Sequence, residues 1–211
     1  LAARTVQRMA STDDLERLCE MALEKGAKAA RPMDARGVVM DPRARLKCMV
    51  PVCANYGRNL MCPPNVMPMD QFAEVLRRYS RAILVQFPIP LDQNLMKGFE
   101  GKRLEEVYGS SEYHQRLRKS EAEIMDLLGY LEKEALNMGY RFATALTGGP
   151  CPLCEECVGQ GSGKRCRHPF RSRPSMEAMG IDVLLTAQNA GLSFEVPPKD
   201  GPVWNGLLLI D

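Results

Sequence analysis

Four of the eight cysteines in this chain fall within one short stretch, "GGPCPLCEECVGQGSGKRCRHP", residues 148–169. Cys151, Cys154 and Cys157 are spaced C-x2-C-x2-C, and Cys166 closes the run. Thiolates at this spacing converge on one small centre when the backbone wraps around it, as in a loop wound round a cubane 4Fe-4S iron–sulfur cluster. The glycines at 159, 161 and 163 let the turn before Cys166 bend back without a steric penalty. Zinc also accepts four thiolates, usually from two separated C-x2-C pairs. Here a third cysteine follows at once, so iron–sulfur ranks ahead of zinc, and disulfides come third. His168, next to Cys166, could ligate a metal or tune such a centre by hydrogen bonding, and its position favours tuning. His114, on an expected helix, reads as a surface or packing residue.

A second group, Cys48, Cys53 and Cys62, is spaced C-x4-C-x8-C, with Pro63 and Pro64 directly after it. Three thiolates leave a cubane one ligand short. Cys19 could supply the fourth, another group could, or one iron could stay open to a substrate. For Cys19 the simpler role is that of a buried helical thiol acting as a small hydrophobe. Tyr56 either donates a hydrogen bond to sulfur or packs. Basic residues crowd both groups: Arg43, Arg45, Lys47 and Arg58 around the first, and Arg141, Lys164, Arg165, Arg167, Arg171 and Arg173 around the second. They would stabilise an anionic centre, form a solvated basic face, or dock an acidic partner.

Composition sets the context. Hydrophobic residues make up 45% and charged residues 26% of the 211, enough for a single domain, residues 1–211, around one core. The net charge of +2 argues against nucleic acid or a membrane surface as partner. No apolar run has the length of a bilayer span, and the opening "LAARTVQRMA" lacks a secretory core, though it is too short to distinguish an arm from a leader. The expectation is a cytoplasmic protein, and in a reducing compartment clustered thiols bind metal or do redox chemistry.

The elements that must position these loops follow from periodicity. "STDDLERLCEMALEKGA" reads as a helix capped by Ser11 or Thr12 and ended by Gly26, with Cys19 on its apolar face. "ARGVVMD" suggests a short strand, "MDQFAEVLRRYS" a helix and "RAILVQF" a buried strand. A long helix follows Gly109 and closes at Gly139, and the second thiol loop hangs from the strand "YRFATAL". "SMEAMGIDVLLTAQNAG" gives short helices, and "LSFEV" and "PVWNGLLLI" give two strands about the turn "PPKDG". This order predicts an α/β (α+β) fold, a mixed sheet flanked by helices with an antiparallel end and two cysteine-rich metal-binding loops.

Taken together, "KCMVPVCANYGRNLMCPPN" and "GGPCPLCEECV…CRHPFRSRPSMEAMGID" resemble a family of uncharacterised, cysteine-rich, predicted metal-binding proteins of anaerobic bacteria and archaea, over about residues 25–195. The resemblance implies metal binding at Cys48, Cys53, Cys62, Cys151, Cys154, Cys157 and Cys166 as iron–sulfur clusters. It implies no reaction, and Cys19 lies outside its motifs. The leading functional expectation is low-potential electron transfer through two 4Fe-4S centres to a redox partner protein or metallocofactor. An enzyme with an open iron at the three-cysteine centre, and a zinc-stabilised binding module, are the alternatives. No Gly-rich phosphate fingerprint and no acid–base or nucleophilic constellation is visible, which favours electron transfer.

Overall fold

The computed structural model describes residues 10–89, 101, 111–159, 161–193 and 202–211, and within its longest helix the side chains of 115 and of 117 onward. In chain order the elements are α1 (Thr12–Glu24), β1 (Ala29–Asp34), a 3-10 turn (Ala35–Gly37), α2 (Pro42–Leu46), α3 (Met69–Leu76), β2 (Arg81–Pro88), α4 (Ser111–Asn137), β3 (Thr144–Leu146), α5 (Val183–Asn189) and β4 (Val203–Ile210). The strands form one sheet in the order β1-β2-β4-β3.

Helix ends obey local chemistry. The Ser11 hydroxyl accepts the Asp14 N–H at the start of α1, satisfying one of the donors a helix start leaves open. At the far end Gly26 takes a positive φ, and Ala27 N–H closes on the Ala22 carbonyl. The same closure ends α4, where Gly139 has φ +100° and Tyr140 N–H reaches the Ala135 carbonyl. Tyr140 then donates its hydroxyl to Asp14 at 2.6 Å, clamping α1 to α4.

The sheet is filled on both faces. Ile83, Val85, Leu208, Ile210 and Ala145 face α1 and α4, meeting Leu15, Leu18, Leu128 and Leu131. The alternate residues Ala82, Leu84, Leu207, Leu209 and Leu146 face the other way, against Phe72 and Leu76 of α3, Ala187 of α5, and Met176, Met179 and Ile181. A strand covered on both sides needs apolar residues at every position, which is why "RAILVQF" reads as a continuous run.

The expected α/β (α+β) class and helical layers hold. The mixture of strand directions is narrower than expected: β1–β2, β2–β4 and β3–β4 are all antiparallel. Among the described residues the parallel component is the isolated bridge between Thr147 and Ser175. The strand placed at "ARGVVMD" shifts forward to Ala29–Asp34, and residues 35–37 form the 3-10 turn instead. Pro32 made "AARPMD" an unattractive strand, but β1 lies at the sheet edge, where a missing N–H costs nothing. Most of "LSFEV", all of "PPKDG", the opening "LAARTVQRM" and the His114 side chain lie outside the described residues. Among those described, no helix is long and apolar enough to cross a membrane.

Two ion pairs join the second thiol loop to α4, and they differ in worth. Arg173 meets Glu132 at 2.5 Å with both side chains about five-sixths buried, and Glu132 also accepts the Ala145 N–H at 2.6 Å. Arg171 meets Asp126 at 2.8 Å with both half-exposed. Removing one partner of a buried pair strands the other charge, at a cost of about 3–5 kcal/mol, whereas an exposed pair contributes about 0–1 kcal/mol. Arg173→Ala is therefore expected to lower the urea midpoint severely and Arg171→Ala hardly at all. Equal effects in urea titrations would contradict this ranking.

Candidate metal centre

The second thiol loop leaves the sheet where β3 ends. Gly148 passes so close to β4 that a Cβ there would lie 2.7 Å from the Asn205 carbonyl oxygen. Gly149 has φ +71° and lies under the Trp204 ring. The loop is closed at its base, because Thr147 N–H donates to the Pro174 carbonyl and Met176 N–H to that of Thr147. These bonds also cover the free edge of β3.

Cys151, Cys154, Cys157 and Cys166 line one small cavity, walled otherwise by Leu153, His168 and residues 59–61 of the first loop. Backbone N–H groups point at the sulfurs. Leu60 N–H donates to Cys157 Sγ at 3.4 Å, and His168 N–H to Cys166 Sγ at 3.3 Å. The Leu153 N–H bonds Cys151 and favours its thiolate, but burial wins and pushes that thiol up, helped by Cys166, Cys154 and Cys157. Among the described residues no three His, Cys, Asp or Glu side chains are gathered closely enough to hold a metal ion.

The first thiol loop runs from α2 to α3 and leans on the second. Asn59, 6% exposed, donates its amide to the Cys151 carbonyl at 3.2 Å and accepts Met61 N–H at 2.9 Å. Its own carbonyl takes the Asn65 amide at 3.1 Å. A tight turn brings Cys53 N–H to the Cys48 carbonyl at 3.1 Å. The peptide bonds before Pro51 and Pro64 are cis. Burial, then the proximity of Cys53, Cys48, Cys151 and Cys157, pushes the Cys62 thiol up to about 12. Cys62 therefore belongs to both neighbourhoods, and the two thiol groups are adjacent. Burial likewise raises Cys48, with Cys53 and Glu177 adding to it.

Other residues singled out by sequence are placed differently. Cys19 is 8% exposed within the α1/α4 layer, and burial pushes its thiol up to about 11, with Arg31, Glu16 and Glu20 as its charged neighbours. The structure does not bring it to the other thiols. Tyr56 donates no hydrogen bond to a cysteine sulfur; its backbone N–H bonds the Cys53 carbonyl. His168 lines the sulfur cavity, yet the hydrogen bond it makes to sulfur comes from its backbone. The basic residues are not a free cationic shell. Arg171 and Arg173 are tied to α4, Arg167 bonds the Glu156 carbonyl, and Arg141 lies over the Phe142 ring.

Sequence reasoning passed over Asn59, Arg118 and Glu121. Arg118, on α4, donates to the carbonyls of Pro152 and Cys154 and so fixes the turn between two of the cysteines. Its only sequence signal was one cation among several on the expected long helix, far along the chain from the loop and too weak to find. Beside it a cleft of about 590 Å³ opens between the loops, bordered by Arg58, Asn59, Arg118, Glu121 and the rims of Cys151, Cys154 and Cys157. Glu121 is 7% exposed, and burial, opposed by Arg118, pushes its carboxyl up to about 7.

The sheet packed on both faces and the two abutting thiol loops define an α+β protein with two adjacent cysteine-rich loops. Residues 31–210 match the family described as "predicted metal-binding protein (DUF2284)", and the chain belongs to it. No curated protein matches the chain, nor does any solved structure.

Two outcomes test this geometry. Asn59→Ala removes the amide that joins the loops and leaves buried partners unsatisfied, so stability is expected to fall by about 1–3 kcal/mol. An unchanged denaturation midpoint would show that the loops dock by other means. Glu121 retains its proton in the folded chain up to about pH 7, whereas unfolded it ionises near the ordinary carboxyl range. Between those values the folded state holds the extra proton, so stability declines as pH rises through the window and levels off above it. The decline should amount to roughly 3–4 kcal/mol, and Glu121→Gln should abolish it. Thermal unfolding measured from pH 4.5 to 8 on both proteins checks this.

Proposed function

We propose that this chain is an iron–sulfur redox protein in which each thiol loop holds a cluster and electrons pass to a partner protein or metallocofactor. The observation that carries the proposal is the shared cavity of Cys151, Cys154, Cys157 and Cys166, with backbone N–H groups aimed at three of its sulfurs. Zinc usually takes its thiolates from two separated C-x2-C pairs. Three cysteines at successive intervals of three with Cys166 beside them suit an iron–sulfur loop, and N–H donors on sulfur are the groups that tune cluster potential.

Electrostatics supports metal of some kind. Seven thiols lie in two touching groups; burial disfavours ionisation of Cys48, Cys62 and Cys151, and each ionised neighbour disfavours it further. A bound cationic centre removes both penalties at once, so metal binding and ordering of the loops should be coupled. A cluster so bound would supply one-electron transfer. The protein's own part is to hold the sulfurs, keep them hydrogen-bonded and set the two groups side by side through Asn59 and Leu60.

The partner has a plausible landing place. Met49, Val50 and Val52, at the tip of the first loop, are 47%, 67% and 73% exposed. Arg45, Lys47 and Arg58 are their neighbours in sequence, so an apolar centre with a basic rim would favour an acidic partner.

Purification without oxygen should give a coloured protein with about eight iron and eight acid-labile sulfide per chain, the content of two cubanes. Cys154→Ala should lower both to about four while the first group keeps its centre. Stoichiometric zinc without sulfide would overturn the reading in favour of a structural zinc module.

A further inference from the structure

The first thiol group offers three sulfurs, and the structure buries Cys19 on the opposite side of the sheet. A fourth donor must come from elsewhere. Among the described residues three side chains hold a buried polar atom without a hydrogen-bond partner, and Glu177 Oε2 is the one carboxylate oxygen among them. An orphaned buried oxygen of this kind costs about 1–3 kcal/mol or more when charged. Such a cost asks for a compensating role.

Glu177 lies in the turn that follows the second thiol loop, and backbone bonds fix that turn against the approach to the first. Gly180 N–H closes on the Glu177 carbonyl at 2.9 Å. Asp41 N–H bonds the Gly180 carbonyl at 2.9 Å, and Asp182 N–H bonds that of Val39 at 2.8 Å. Met40 and Ile181 pair as an antiparallel bridge between these bonds. From Asp41 the chain enters α2, and α2 leads directly to Lys47 and Cys48. Glu177 consequently acts electrostatically on Cys48, and Lys47 acts on Glu177. Lys47 is not paired with it in any salt bridge among the described residues, and the other carboxylate contacts are local, to Ser175 and to its own backbone N–H.

We infer that Glu177 is the fourth protein ligand of the centre held by Cys48, Cys53 and Cys62, its unpartnered oxygen being the donor. This rests on the reading that the first loop holds an inorganic centre. An anionic oxygen donor replaces a thiolate without changing the ligand charge, and iron accepts carboxylate. Binding would draw the carboxylate and the three sulfurs together and satisfy Oε2. It would also close the position at which a substrate could reach an open iron, so the first centre would transfer electrons rather than bind small molecules.

The test uses the full chain, purified without oxygen, as wild type, Glu177→Gln and Glu177→Cys. In the Gln variant, iron should fall from about eight to about seven per chain, and the oxidised protein should acquire the EPR signal of a three-iron cluster. The Cys variant should restore the iron and keep a cubane with an altered EPR spectrum. Without metal, Glu177→Gln should unfold no more easily than wild type, because burial already pushes the Glu177 carboxyl up and disfavours its charge. This comparison separates loss of a ligand from loss of the fold. A Gln variant with wild-type iron and spectrum overturns the inference while leaving the iron–sulfur reading intact. Wild-type protein without iron or sulfide overturns both.

Discussion

Everything at this site depends on one loop being seated on another. Neither thiol loop has regular structure to hold it, and each would be free to spread its sulfurs. The buried amide of Asn59 on the Cys151 carbonyl and the Leu60 N–H on Cys157 Sγ make the two into one body. The sheet contributes the frame. β3 delivers the second loop, the Thr147–Ser175 bridge returns it, and the Met40–Ile181 bridge brings the first loop to the same place.

Crowding so many thiols is unfavourable for a protein alone. Burial and mutual repulsion both hold back ionisation of Cys62 and Cys151, and several of the basic residues that seemed available to offset this are committed elsewhere. Arg173 holds Glu132, Arg171 holds Asp126, and Arg118 is engaged with backbone carbonyls. Arg45 still acts on Cys48, and backbone N–H groups supply much of the remaining polarity that reaches sulfur. The loops are thus built to support negative charge once a cation is present, and not to create it beforehand.

Much of this was legible in the residues, and the reasons differ by element. Spacing exposed the seven clustered cysteines as two groups, and the fold sets those groups side by side. Helical periodicity gave α1 and α4 with their closing glycines, and the unbroken apolar run gave β2. The strand at Ala29–Asp34 was hidden by Pro32, which only its place at an edge excuses. The contact between the loops was also invisible. It depends on Asn59, one polar residue among many in an irregular stretch, meeting a carbonyl far along the chain. Glu177 sat in an ordinary helical-looking segment, and nothing short of its burial marks it out.

The packing of Trp204 has a practical consequence. It is the only tryptophan in the chain, its ring rests on Gly149 at the hinge of the second loop, and its indole N–H is held by Ser120 of α4 at 3.0 Å. Nature has in effect placed one fluorophore beside the sulfur cavity and anchored it to the scaffold. Any light-absorbing centre acquired there would dim its emission through energy transfer, so loading and loss of such a centre would be readable in real time without a label.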